Sequence, residues 1–316
     1  MAPTKPTVTV FGATGTQGGG VVHALLASGQ FIVRAVTRDV NKPSAAALKT
    51  QGAEPVAAEF SDVSSLETAL SGADALFLVT EAGMEDPDGE LQAGKHVIAA
   101  AKKSGVKHVV FSALEDSRPH LSKDDDYPTV CKFQGQPSKI PFYDSKAEIK
   151  AELKKSGIPY TCLYTWSFIE NTLKFAYYIK QDDGSYTVSF PVPGDQPLNF
   201  QSGDTVGSAV ADILSSPNKY KGADLQPSVF VASWNEVYAA VSQVTGRKVT
   251  YQGISFEQGT KLGFPGAVSL ANMWKAINAD WGDGGRKKFA SIGPKPSLQQ
   301  WVEGNKQQLS EKIGSC

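Results

Sequence analysis

The sequence predicts an α/β protein: a doubly wound parallel sheet with a smaller α/β lobe towards its carboxyl end. Three observations predict it. Short, almost wholly apolar runs alternate with helical segments through the first half of the chain, as strands do when helices cover both faces of their sheet. Gly29, Gly52, Gly72 and Gly105 fall where those helices should stop, the usual place for a carboxyl-terminal cap. Residues 8–20 read Val-Thr-Val-Phe-Gly-Ala-Thr-Gly-Thr-Gln-Gly-Gly-Gly, an apolar strand that runs into glycines and then into a helical pattern.

The elements follow in order. Strands are predicted at 7–11, 31–37, 54–58, 74–79 and 107–111, with helices between them at 17–28, 43–51, 63–71 and 89–104. Residues 115–141, with Pro119, Pro128, Gly135, Pro137 and Pro141, break the alternation and predict a long surface loop. Such a loop borders a ligand or is a solvated insertion, and both readings stand. A helix at 143–156, stopped by Gly157, and a strand at 160–164 restore the pattern. After residue 170 the rhythm changes: strands are predicted at 186–192, 229–232 and 249–252, and helices at 204–214, 234–244 and 267–280. A glycine-rich run at 282–285 and an amphipathic helix from Ser297 close the chain. The expected division is a first domain over 1–170 and a lobe over 171–316, with the chain free to cross back into the first sheet. The lobe should cover the carboxyl ends of the strands, where such sheets bind ligands.

Composition narrows the classes. Lys plus Arg number 31 and Asp plus Glu 32, for a net charge of −1, so the basic excess of a general nucleic-acid binder is missing. The chain is 41% hydrophobic, ordinary for a globular protein. It has no apolar run of about 18 residues, and its Met-Ala-Pro-Thr-Lys-Pro start has no apolar core, so neither a membrane span nor a signal peptide is expected. Cys131, Cys162 and Cys316 are sparse and form no C-x-x-C pair; they fit a reducing compartment, and the expected location is cytoplasmic. His23, His96, His108 and His120 lack metal-ligand spacing, so no metal is expected. No G-x-S-x-G element points to a serine nucleophile.

Strand, glycine turn and helix together give the glycine spacing its meaning. Gly12 permits the tight turn, Gly15 a close backbone approach to a diphosphate, and Gly18 close packing of helix on strand. The free N–H groups and positive dipole end of the helix then face the phosphates, with Thr14, Thr16 and Gln17 alongside. This is the Rossmann arrangement, and a dinucleotide is expected. Arg38 follows the second strand. An acidic residue there bonds the ribose of NAD, whereas an arginine offers its planar fork to the 2′-phosphate of NADP. NADP(H) is therefore expected, although Asp39 is also placed to reach the ribose, and Lys42 is a possible second cation. Asp62 is placed to accept from the adenine amine or to cap the helix at 63–71, and the two uses are compatible. Thr80 and Glu81, which end the fourth strand, are expected near the nicotinamide-side ribose.

These residues carry a resemblance. The run Val10-Phe11-Gly12-Ala13-Thr14-Gly15-Thr16-Gln17-Gly18-Gly19, then Arg38 and Asp62, resemble the NmrA-like family of atypical short-chain dehydrogenases. So do Ser145-Lys146-Ala147-Glu148, Gly157-Ile158-Pro159-Tyr160-Thr161 and Phe168-Ile169-Glu170-Asn171. The likeness runs nearly the full length and is loose in the carboxyl-terminal lobe. It implies one of two kinds of protein. Some members resemble isoflavone and phenylcoumaran benzylic ether reductases, which reduce aromatic substrates with NADPH. Others are redox sensors that bind NADP and control transcription factors by contact.

In the resemblance Lys146 takes the position of the family's active-site lysine. Typical short-chain dehydrogenases place a proton-donating tyrosine four residues earlier, on the same helix face. Here that residue is Phe142, and Tyr143 lies three before the lysine. Ether-reductase-like members also do without the tyrosine, and their lysine is assigned the acid–base role. Among Lys150, Lys154 and Lys155, however, Lys146 also reads as a solvated helical charge. Where the family has Arg-Pro-Gly after Leu163, this chain has Tyr164-Thr165-Trp166-Ser167. Trp166 and Phe168 are expected to line a planar substrate or to be core residues.

The leading expectation is an NADPH-dependent reductase of a small aromatic or carbonyl-bearing substrate. Gly12, Thr14, Gly15, Thr16, Gln17, Gly18, Arg38, Asp62, Thr80 and Lys146 would hold the cofactor, Lys146 would assist proton transfer, and Trp166 and Phe168 would face the substrate. The alternative is an NADP(H) sensor whose partner is a regulatory protein.

Overall fold

An eight-stranded sheet organises the chain in the computed structural model, which describes residues 4–121, 124, 126–279 and 289–315. The predicted glycine run at 282–285, Asp125 and Cys316 lie outside the described residues. The first half alternates β1 (Thr7–Val10), α1 (Thr16–Ser28), β2 (Ile32–Thr37), α2 (Pro43–Thr50), β3 (Glu54–Ala57), α3 (Val63–Leu70), β4 (Ala75–Leu78), α4 (Pro87–Lys103) and β5 (His108–Ala113). After the 115–141 segment come α6 (Pro141–Ser156) and β8 (Tyr160–Tyr164), with α5 (Arg118–Leu121), β6 (Cys131–Phe133) and β7 (Gln136–Ser138) inside that segment. Every predicted element of this half is present, with ends shifted by a residue or two.

Beyond β8 the chain forms β9 (Ser167–Phe168), α7 (Asn171–Lys174), β10 (Ile179–Lys180), β11 (Tyr186–Phe190), β12 (Leu198–Gln201), α8 (Gly203–Ser215), α9 (Pro217–Tyr220) and β13 (Asp224–Pro227). Then come β14 (Phe230–Ala232), α10 (Trp234–Thr245), β15 (Val249–Gly253), α11 (Phe256–Thr260), α12 (Ala267–Asn278) and β16 (Ala290–Ile292), followed by the helices Leu298–Gly304 and Lys306–Gly314.

The large sheet has the order β16-β13-β8-β5-β4-β1-β2-β3, and every neighbouring pair is parallel. The chain thus crosses back twice, through β13 and β16. Apolar side chains fill both faces. Val8, Val10, Val21, Leu25, Val206 and Ile213 bury one face under α1 and α8. Leu66, Leu78, Phe111, Ile149 and Leu153 bury the other under α3, α4 and α6. Helix α8 lies directly on α1: a Cβ on Gly20 would stand 2.0 Å from the Gly203 carbonyl oxygen, and one on Gly207 would stand 2.1 Å from that of Gly20. Only glycines allow the two backbones to meet.

Segment 115–141 differs from the predicted loop. It contains the β6–β7 hairpin, turned at Gln134 (φ +52°) and Gly135 (φ +77°), two positive φ values in succession as in the turns that match strand twist. Phe133 and Ile140 are fully buried. The fully buried Asp144 carboxylate accepts bonds from the Ser117 backbone N–H and hydroxyl at one end of the segment and from the Ser138 hydroxyl at the other. Burial pushes the Asp144 carboxyl above its ordinary range.

The remaining strands form the small sheets β10-β11-β15 and β14-β12-β9, around an aromatic core that includes Phe200, Trp234 and Tyr238. Among the described residues no helix is long and apolar enough to cross a membrane.

Candidate active site

The strand order reverses between β1 and β4, which opens a crevice at their carboxyl ends, the ligand position of doubly wound sheets. The glycine loop enters there. Gly12 sits at φ +63°, and Gly15 is the residue from which α1 starts, with no side chain capping the helix. The Gly15 N–H closes the turn on the Gly12 carbonyl at 2.8 Å, and the first helical bond runs from Gly19 N–H to Gly15 O at 2.9 Å. The N–H groups of Thr16, Gln17 and Gly18 therefore face outward as the orphan donors of a helix amino end. A Cβ on Gly18 would stand 2.2 Å from the Gly12 carbonyl oxygen, so this loop accepts no side chain there. Thr14 is exposed. Gln17 reaches across the crevice and accepts a 2.7 Å bond from the Ser112 hydroxyl of β5.

Arg38 is exposed after β2, 3.8 Å from the Glu81 carboxylate after β4. Both side chains are mostly solvated, at 75% and 80%, so the pair is weak and the guanidinium is available to another anion. Asp39 turns into its own loop, where its carboxylate accepts from the Asn41 N–H at 2.9 Å. Asp62 caps α3, with one carboxylate oxygen accepting from the N–H groups of Ser64 and Ser65. The bond from the Ser65 backbone, aided by the Ser64 hydroxyl, holds this carboxyl below its usual range.

Lys146 is not a solvated helical charge. It is 5% exposed, as is Glu90 of α4. Its ammonium donates to Glu90 Oε1 at 2.5 Å, to the Thr80 hydroxyl at 2.8 Å and to the Thr80 carbonyl at 3.3 Å. Three acceptors saturate its three N–H bonds. The Thr80 hydroxyl in turn donates to Glu90 Oε1, while Glu90 Oε2 accepts from the Gly83 N–H at 2.8 Å and from the Ser145 hydroxyl. One buried carboxylate thus gathers the end of β4, the loop after it and the amino half of α6. Phe142 is 7% exposed and lies in an apolar cluster with Leu121, Tyr127, Ile140 and Ala276. Its ring meets Tyr143 edge-on at 5.1 Å. Burial, with the Glu115 charge adding, holds the Tyr143 proton more tightly than in water.

The predicted substrate aromatics are placed differently. Trp166 is half-buried and tied by its indole N–H to Gln226 of β13 at 2.9 Å. Phe168 packs against the core under α1 and α8. Neither lines the cavity of about 470 Å³ formed by Glu85, Thr129, Val130, Phe264, Gly266 and Ser269 with their neighbours. That cavity joins the loop after β4 to the 115–141 segment and to α12, and a 2.7 Å bond from the Gly266 N–H to Glu85 closes one side. Among the described residues no group of three or more His, Cys, Asp or Glu side chains is arranged to hold a metal.

Three contributors escaped the sequence reading. Glu90 stands in the first turn of α4, in Asp-Gly-Glu-Leu-Gln, a context that reads as a surface turn of helix. Ser112 is polar within a buried strand, the one local sign of its contact with Gln17. Lys174 comes from α7, in the second half of the chain, and donates to the Thr16 hydroxyl at the start of α1; nothing in its local sequence announces that contact.

Comparison with known proteins places this geometry. The model of the NmrA-like family matches residues 4–285. The NmrA-like family domain-containing oxidoreductase notA of Aspergillus sp. (strain MF297-2) is 32% identical over 270 residues, covering 78% of this chain and 75% of that protein. Among solved structures, the negative transcriptional regulator NmrA in complex with NAD superposes with a TM-score of 0.74 at 20% identity, covering 99% of this chain and 98% of that one. The triphenylmethane reductase of Citrobacter sp., complexed with NADP(H), superposes with a TM-score of 0.63 at 21% identity, covering 99% of each chain.

Proposed function

The chain belongs to the NmrA-like family, and from that premise we propose that it is an NADP(H)-dependent oxidoreductase acting on a small aromatic or carbonyl-bearing molecule. The observation that carries the reading is the uncapped amino end of α1, set at the strand-order reversal with Arg38 beside it. Gly18 keeps the loop close on its helix, since a side chain there would collide with the Gly12 carbonyl. The relatives called oxidoreductases, and the reductase solved with NADP(H), support the same assignment.

When bound, the cofactor supplies a hydride. The protein does the rest. The N–H groups of Thr16, Gln17 and Gly18 face the diphosphate, where partial positive charge at a helix start favours an anion. Arg38 exchanges its weak partner Glu81 for the 2′-phosphate. Asp62 keeps its second carboxylate oxygen for the adenine amine while the first caps α3. Lys146 holds a ribose hydroxyl by giving up its longest bond, that to the Thr80 carbonyl, and Glu90 keeps the ammonium in place.

The test has two arms. NADP⁺ should bind at least tenfold tighter than NAD⁺ to the wild type, and Arg38→Ala should erase the difference, since a charge-assisted fork on phosphate is worth roughly 1.5–3 kcal/mol. NADPH loss with a panel of aldehydes, quinones and benzylic ethers should be seen with the wild type and fall at least a hundredfold in Lys146→Ala, with NADP⁺ binding weakened by only about tenfold, the share of one ribose hydrogen bond. Absence of turnover across the panel despite tight binding rejects the enzyme. One observation favours a sensor instead: Phe142 fills the tyrosine position from inside an apolar cluster. A protein partner captured with NADP⁺ and released with NADPH would support that reading.

A further inference from the structure

We infer that Lys174 is a diphosphate ligand, a cation brought by the second half of the chain to the amino end of α1 beside the glycine loop. The inference rests on the cofactor reading above and adds a residue that the glycine motif does not contain.

The geometry is a bond across 158 positions of sequence. The Lys174 ammonium donates to the Thr16 hydroxyl, and Thr16 is the first residue of α1. Lys174 is exposed, and no Asp or Glu carboxylate among the described residues lies within salt-bridge distance of it. Beyond salt-bridge distance, the Glu170 carboxylate in the same turn feels the Lys174 charge, and the ammonium itself stands at the helix end whose N–H groups face the phosphate position. Lysine suits this place as a compact charge on a flexible stem, which binds phosphate as a point.

The support beneath Lys174 is rigid. Glu170, in the same turn, accepts a 2.8 Å bond from the Gly203 N–H at the start of α8. Helix α8 meets α1 backbone to backbone through Gly20, Gly203 and Gly207. A Cβ on Gly203 would stand 2.4 Å from the carbonyl oxygen of Thr16 itself. The α7 turn and the glycine loop are therefore held in one frame, with the ammonium free to leave the Thr16 hydroxyl for a phosphate oxygen beside it. A diphosphate in this position would meet backbone N–H groups of the first half and a side chain of the second.

The experiment compares Lys174→Ala, Lys174→Arg and the wild type by calorimetry with three probes: NADP⁺, ADP-ribose and adenosine 2′-monophosphate. ADP-ribose carries the diphosphate without the 2′-phosphate, and adenosine 2′-monophosphate carries the reverse. Lys174→Ala should weaken NADP⁺ and ADP-ribose by about tenfold and leave adenosine 2′-monophosphate unchanged. Lys174→Arg should stay within about threefold of the wild type. The thermal midpoint should not move, because the side chain is exposed. Equal affinity of wild type and Lys174→Ala for ADP-ribose overturns the inference while the cofactor reading stands. Equal loss on all three probes also overturns it, as a structural effect. Failure of the wild type to bind NADP⁺ removes the cofactor reading itself.

Discussion

Replacing Glu90 by leucine tests the buried network directly. Glu90 accepts from four groups: the Lys146 ammonium, the Thr80 and Ser145 hydroxyls and the Gly83 N–H. Leucine is of similar size and accepts from none of them. The ammonium would remain 5% exposed with only Thr80 as partner, and breaking a buried pair from one side costs about 3–5 kcal/mol. The other side of the pair is cheaper. In Lys146→Met the carboxylate keeps three donors, so the loss should be about 1–3 kcal/mol. The double variant should cost about as much as Lys146→Met alone, because no charge is then stranded. The expected coupling is then the whole Glu90→Leu loss, roughly 3–5 kcal/mol, out of a total stability of about 5–15 kcal/mol. Urea unfolding followed by circular dichroism measures all four proteins, with the slope checked for two-state behaviour. If Glu90→Leu costs under about 1 kcal/mol, or the two losses add to within about 0.5 kcal/mol, the pair is not the anchor described here.

Three further outcomes are expected. Burial, aided by the Lys221 charge, lowers His108 from 6.5 to about 4; the unfolded chain therefore binds the extra proton first, and stability present above about pH 6.5 is lost as pH falls towards 4. The full loss is about 3 kcal/mol, and urea midpoints of His108→Gln should be flatter than wild type across that window. Gly20→Ala must separate α1 from α8, since its methyl would meet the Gly203 carbonyl carbon at 2.3 Å; a loss of about 1–3 kcal/mol or more is expected, and a thermal midpoint equal to wild type would contradict the backbone contact. Glu81→Gln frees Arg38 from a solvated partner, so NADP⁺ affinity should rise by less than about fivefold, and weakened NADP⁺ binding on titration would show that Glu81 itself serves the cofactor.

The first half of the fold was legible because its signals are local. β4 and β5 are apolar runs bounded by glycine, and Asp62 announces the helix that it caps. The return of β13 and β16 to the large sheet was not legible residue by residue. Asp-Leu-Gln-Pro and Ala-Ser-Ile are too short and too polar to read as buried strands, and only pairing with β8 makes β13 one. The 115–141 segment misled for a related reason. Its prolines suggest loop, yet Phe133 and Ile140 bury it and Asp144 ties both its ends. At the site, the glycine loop and Arg38 were visible in a single stretch each. Glu90, Ser112 and Lys174 meet Lys146, Gln17 and Thr16 across 56, 95 and 158 positions, a separation that periodicity and spacing do not encode.

Glu90 also changes the weight of the missing tyrosine. In a tyrosine–lysine pair the lysine charge eases release of the tyrosine proton. Here Phe142 has no proton to give, Tyr143 holds its own more tightly through burial, and the Lys146 ammonium bonds Thr80 and Glu90. Its counter-charge is a buried carboxylate, and the pair presents a net-neutral donor fixed at the end of β4. Such a donor would bind a ribose hydroxyl without stranding a charge, a task common to a reductase and a sensor. The loop that runs from Gly83, bonded to Glu90, to Glu85, bonded to Gly266, links this network to the cavity of about 470 Å³. The same backbone stretch thus borders both the lysine network and the cavity.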